Sequence, residues 1–170
     1  MKYFLVFAAF VTLFSCQNKT YHIAPHSADN EGVAIGQYVY NFKEISPQKE
    51  YISLESAMGK ATIIDFWASW CRPCREAANP AYLKLYKQYH NKGLNIIGVS
   101  SDRHSYFWHK ALQQDSLPWT QVIDSTKQIL KKYEVQKIPT MFLIDQNGKI
   151  VGRNLWGEEL QGKIDSLLAN

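Results

Sequence analysis

Cysteine is scarce in this chain of 170 residues: there are three, at positions 16, 71 and 74. An exported domain that relied on disulfides for stability would carry a larger, spaced set. Long apolar runs are missing too. The run from Tyr3 to Phe14 holds twelve residues, too few to cross a bilayer as a helix. Charge of one sign does not accumulate: 19 basic residues against 15 acidic give a net +4 with no dense basic block, which argues against a nucleic-acid surface. The five histidines are scattered at 22, 26, 90, 104 and 109, so no second ligand pair completes a zinc site. Repeats and low-complexity tracts are absent, which excludes a solenoid.

What remains is an ordinary globular composition, 46% hydrophobic and 20% charged, long enough for one domain with a full core. The chain is organised around residues 62–74. Ile63 to Trp67 is short, β-branched and aromatic, and reads as a buried strand. A tight loop follows, then a helical pattern from Cys74 to about Tyr89. The two cysteines fall where strand becomes helix. The unpaired N–H groups and partial positive charge of a helix start stabilise a thiolate. Cys71 is thereby placed as a low-pKa nucleophile, with Arg72 and Arg75 adding positive charge. Cys74 is placed to resolve the mixed disulfide that Cys71 forms. A structural disulfide or half a zinc site shares the Cys-x-x-Cys spacing; the strand-to-helix context favours redox chemistry.

The stretch Asp-Phe-Trp-Ala-Ser-Trp-Cys-Arg-Pro-Cys at 65–74 resembles the signature of the thioredoxin superfamily, and most closely its exported TlpA/ResA-like branch. The resemblance covers about residues 35–168. It implies an α/β thioredoxin fold, with a central mixed β-sheet flanked by helices, an N-terminal β-hairpin and a mid-chain helix–strand insertion. It also implies a thiol–disulfide oxidoreductase with Cys71–Cys74 as the redox-active disulfide, acting on protein thiols and disulfides without a cofactor or metal. In such proteins an Ile-Pro-Thr like that at 138–140 carries a cis peptide packed on the disulfide. Ile138 and Pro139 would then meet an extended substrate strand; a trans proline opening a strand is the plainer reading. Asp65 matches the buried acid that takes a proton from the resolving cysteine, and burial would raise its pKa. The plainer reading is an Asp bonded to backbone at a strand edge. The lysine that many thioredoxins place near that acid falls at Gly98, and Glu76 is the other acid close in sequence. Trp70 is expected to line the substrate surface and Trp67 the core, with Trp156 and Gly157 in a loop bordering the site.

Residues 1–16, with Lys2 ahead of the apolar run, read as an export signal. Leu-Phe-Ser-Cys at 13–16 resembles a bacterial lipobox, which implies lipidation of Cys16 and a membrane-anchored protein of the cell envelope or periplasm. Residues 17–32 are polar and aperiodic and read as a flexible tether; residues 33–170 form the thioredoxin-like domain. Strands are expected at 38–42, 51–54, 94–100, 119–123, 141–144 and 150–155, and helices at about 106–114, 127–133 and 158–168. Pro80 should kink the first long helix, and Gly93 should end it.

The proline before Cys74 resembles the reducing members of the superfamily. The expected function is reduction of protein disulfides outside the cytoplasm, for example in cytochrome c maturation, with a membrane thiol reductase as electron donor. The rivals are a disulfide oxidase or isomerase of the same fold, a copper-delivery module using the cysteines and a distant histidine such as His104, and a non-catalytic scaffold. The Thr-x-x-Cys setting of a peroxidase is absent.

Overall fold

The computed structural model describes residues 20–169. In chain order its strands and α-helices are β1 (Lys43–Ile45), β2 (Tyr51–Ser53), β3 (Ala61–Trp67), α1 (Asn79–Tyr89), β4 (Leu94–Ser100), α2 (Ser105–Asp115), β5 (Thr120–Ile123), α3 (Gln128–Lys132), β6 (Thr140–Asp145), β7 (Ile150–Arg153) and α4 (Gly157–Ala169). The strands form one mixed sheet in the order β2-β1-β5-β4-β3-β6-β7. β3 lies parallel to β4 and antiparallel to β6, while β5 lies parallel to β4. This is the expected thioredoxin-like architecture, with the β1–β2 hairpin at one edge and the α2–β5 unit inserted after β4.

All seven residues of β3 are buried. Side chains alternate along a strand, so both sheet faces must be covered. Ile64 and Phe66 enter one cluster with Ile97, Val99, Tyr133 and Phe142. Ala61 and Ile63 enter the opposite cluster with Tyr82, Leu85 and Tyr89 of α1 and Leu160 and Ile164 of α4. Trp67, at the strand's end, meets Cys71, Cys74, Trp108 and Ala111. The apolar run predicted from sequence is therefore the central strand.

Helical backbone starts at Arg72, passes through a π segment at Cys74–Ala78 and continues as α1, with Pro80 in its first turn. A proline in a helix interior lacks the N–H for the bond to the carbonyl four residues back. The predicted kink takes the form of a widened π turn before a fresh α-helical start. Gly93 adopts φ 112°, a left-handed conformation open to glycine, and ends this helical unit as expected.

Two expectations differ from the structure. The first strand lies at Lys43–Ile45 rather than 38–42. In the earlier segment, Tyr38 N–H donates to Asn30 O and Val39 N–H to Gly148 O, so its backbone pairs with separate partners instead of one ladder. The apolar side chains there serve the core: Val39 is fully buried, and Tyr40 and Phe42 pack beside it. Residues 20–32, read as tether because of their polarity, lie against the domain. Ile23 packs on the core and its N–H donates to Glu55 at 3.0 Å. Ala24 N–H donates to Asn147 O, and the His26 ring stacks on Tyr38 at 4.4 Å. Apolar Tyr21 and Ile23 inside an otherwise polar stretch supply the seat. Residues 1–19, with the expected signal and Cys16, lie outside the described residues. Among the described residues no helix is long and apolar enough to cross a membrane.

Candidate active site

Cys71 and Cys74 are joined by a disulfide where β3 gives way to the helix. Both are buried. Cys74 N–H points at Cys71 Sγ at 3.3 Å. An amide of the first helical turn thus faces the sulfur that would carry negative charge after reduction, which favours the thiolate. The peptide between Ile138 and Pro139 is cis, as expected. Ile138 packs on the cluster that holds Trp67, Ala68 and both cysteines. Among the described residues neither its N–H nor its C=O has a hydrogen-bond partner. Trp70 stands 66% exposed, so the residue before the disulfide offers an apolar surface to solvent. Trp70 and Ile138 line one cleft of about 500 Å³.

Asp65 is 1% exposed, and its Oδ1 has no hydrogen-bond partner. The backbone-bonded alternative fails for that oxygen. Burial alone pushes its carboxyl up to about 7. It shares a sheet face with Ile63 and Trp67, the face on which the cysteine-bearing helix packs. Directly across in register is Gly98, and beyond that Gln121. A Cβ on Gly98 would lie 2.3 Å from Gln121 Oε1, so the glutamine amide fills the space above this glycine. Trp67 Nε1–H donates to that same Oε1 at 3.1 Å. The place where the resemblance puts a lysine therefore holds a neutral amide, and no cation lowers the Asp65 pKa. Tyr82, buried with an unpartnered hydroxyl, has its own pKa raised by burial and by the Asp65 charge. Its ring is stacked at 5.7 Å by Trp156, which is 42% exposed beside the site.

The arginines behave differently from expectation. Arg72 pairs with Glu76 at 2.7 Å on the surface, so Glu76, unlike Asp65, is an exposed carboxylate with a cation beside it. Arg75 holds both oxygens of Asp115, at 2.6 and 2.9 Å, and reaches Ser69 O at 3.3 Å. Asn79 adds a bond to Asp115 at 3.2 Å. Arg75 is thus engaged in fixing the loop to α2, and Arg72 in a pair along its own helical segment, rather than both facing Cys71. From the other side, Asp102 accepts from Ser69 N–H and Oγ–H and from Ser100 Oγ–H. The Ser69–Cys71 turn is thus clamped between two carboxylates. Sequence reasoning missed Asp102 and Asp115, since partners 33 and 40 residues apart leave no spacing signal. Among the described residues no cluster of three or more His, Cys, Asp or Glu is placed to hold a metal ion, and His104 is exposed on the approach to α2.

Residues 35–153 match the model of the AhpC/TSA family. The chain belongs to that family. It is 33% identical over 141 residues to the thiol-disulfide oxidoreductase ResA of Bacillus cereus, covering 83% of this chain and 80% of that one. The thioredoxin domain of a thiol-disulfide oxidoreductase from Bacteroides vulgatus superposes with a TM-score of 0.74 at 33% identity, covering 81% of this chain and 99% of that chain. A thiol-disulfide oxidoreductase from Bacteroides fragilis gives 0.71 at 33% identity, covering 77% and 99%. This AhpC/TSA member is a thiol–disulfide oxidoreductase of thioredoxin-like fold.

The Asp65 environment makes stability depend on pH. Below about pH 4 its carboxyl is protonated in folded and unfolded chains alike; from there to about pH 7 only the unfolded chain ionises it. Folded stability therefore falls as pH rises through this window, by up to about 4 kcal/mol, and stays lower above it. Asp65→Asn should remove this dependence. In urea titrations of the oxidised chain, the variant should gain on the parent by about 2–4 kcal/mol between pH 5 and pH 8. An equal difference at both pH values would contradict a buried acid with a raised pKa.

Proposed function

We propose that this chain is a lipid-anchored reductase of protein disulfides outside the cytoplasm, acting for example on cysteines awaiting haem attachment in cytochrome c maturation. The observation that carries the reading is the pairing of a helix-start disulfide with the free backbone of Ile138 beside it. An extended substrate strand can hydrogen-bond to Ile138 while its sulfur approaches Cys71. Trp70 and Pro139 border that approach.

In the reduced enzyme the Cys71 thiolate attacks one sulfur of the substrate disulfide. The substrate S–S bond breaks, a mixed disulfide forms, and the first substrate thiolate leaves and takes up a proton. Asp65 then accepts the Cys74 proton, and the Cys74 thiolate attacks Cys71 Sγ. That step breaks the mixed disulfide, releases the second substrate thiolate and closes Cys71–Cys74. Two electrons pass from enzyme to substrate. A carboxyl with a pKa of about 7 suits this proton transfer near neutral pH. A membrane thiol reductase would return the electrons. The proline at 73 supports the reducing direction through its resemblance to reducing relatives, and the Leu-Phe-Ser-Cys segment supports anchoring through Cys16.

Two experiments test this reading. Cys74→Ser should accumulate a dithiothreitol-reversible mixed disulfide between Cys71 and a protein substrate, because the resolving thiol is gone; Cys71→Ser should accumulate none. Equal trapping by both variants would contradict the assigned roles. Cys16→Ser should move the protein from the membrane pellet to the soluble envelope fraction after cell fractionation. Continued pelleting would contradict the anchor.

A further inference from the structure

The cleft between Trp70 and Ile138 is not electrically neutral. Its apolar lining includes Leu130 and Val135, and its polar lining includes Lys127, Lys131 and Lys137 with no acidic residue. None of the three lysines has an ion-pair partner among the described residues. Lys127 and Lys131 are four residues apart, a spacing that aligns them on one side of α3 and the turn before it, and Lys137 directly precedes Ile138. In the helical segment that follows Cys71 the cations are matched, Arg72 by Glu76 and Arg75 by Asp115. The cleft beside Trp70 thus carries three lysines with no acidic residue to match them. The same cleft holds the free backbone of Ile138 and the apolar surface of Trp70.

We propose that this cleft selects substrate disulfides in extended polypeptide segments that carry acidic residues close to the reacting cysteine. The inference rests on Cys71 being the attacking thiol. An extended segment paired with Ile138 would place alternate side chains over Leu130 and Val135, and its carboxylates would reach Lys127, Lys131 or Lys137. Rim lysines in water act chiefly on encounter: complementary charge raises the association rate, and salt screens the effect. The three lysines therefore set specificity and leave the bond-making atoms unchanged.

The test uses the reduced full chain and two peptides of equal length, each closed by an internal Cys-x-x-Cys disulfide, one flanked by Asp and Glu and the other by Lys and Arg. Second-order rate constants are measured by stopped flow on the tryptophan signal at about 20 mM and about 500 mM salt. The acidic peptide should react roughly tenfold faster than the basic one at low salt, with the ratio falling to about two or less at high salt. The same collapse is expected at low salt in the K127Q/K131Q/K137Q variant. A ratio near one in the parent chain, or a preference that survives loss of the lysines, would overturn the proposal. The parent chain is also reacted with bis(2-hydroxyethyl) disulfide, which is neutral. Reaction with it but no discrimination between the peptides overturns the cleft's selectivity alone; no reaction with any disulfide overturns the exchange reading as well.

Discussion

A strand buried on both faces must deliver its chain to a helix without leaving polar backbone stranded, and the rest of this molecule depends on that handover. β3 contributes its odd-numbered side chains to one layer and its even-numbered ones to the other. The chain then turns through Ala68, Ser69 and Trp70 before the helix begins at Arg72. Cys71 sits at the point where helical N–H groups are still unpaired, and one of them, from Cys74, faces its sulfur. Reactivity at this site is a by-product of where a central strand must stop.

The handover is rigid because its polar groups are occupied. Asp102 takes the Ser69 amide and hydroxyl, and Arg75 bridges Ser69 to Asp115. A buried or half-buried carboxylate with several donors is worth more than a surface pair, so these contacts hold geometry as much as they add stability. Asp115 also matches the positive charge of Arg75, as Glu76 matches that of Arg72. The helix start faces the disulfide directly, and the lysines of the neighbouring cleft stand without ion-pair partners among the described residues. Asp65 stands apart from all of this. Gly98 gives no side chain at its flank, Gln121 covers the gap with a neutral amide, and burial acts on the carboxyl without a compensating cation.

Much of this was legible in the sequence. Local patterns whose meaning does not depend on distant partners agree with the structure: β3, the β4 strand at 94–100 and the helix stop at Gly93. The segment at 38–42 has a strand's composition in its apolar residues, but its backbone pairs with residues far apart in the chain. Residues 20–32 look like linker by composition, yet Tyr21 and Ile23 pack on the core and His26 stacks on Tyr38. Sequence alone directs the charge of Arg75 toward Cys71 because its partner, Asp115, is fixed only by the packing of α2, whereas Arg72 pairs with Glu76 just four residues on. Spacing can reveal a cysteine pair three residues apart; it cannot reveal a carboxylate 40 residues away.

The most direct test of the reductive role is the equilibrium reduction potential of the Cys71–Cys74 couple in the full chain, measured at pH 7 against dithiothreitol and glutathione buffers. A two-electron transition below about −230 mV is expected for a reductase fed by a dedicated donor. A value above about −180 mV would contradict that direction and make the protein an oxidant or isomerase of the same fold.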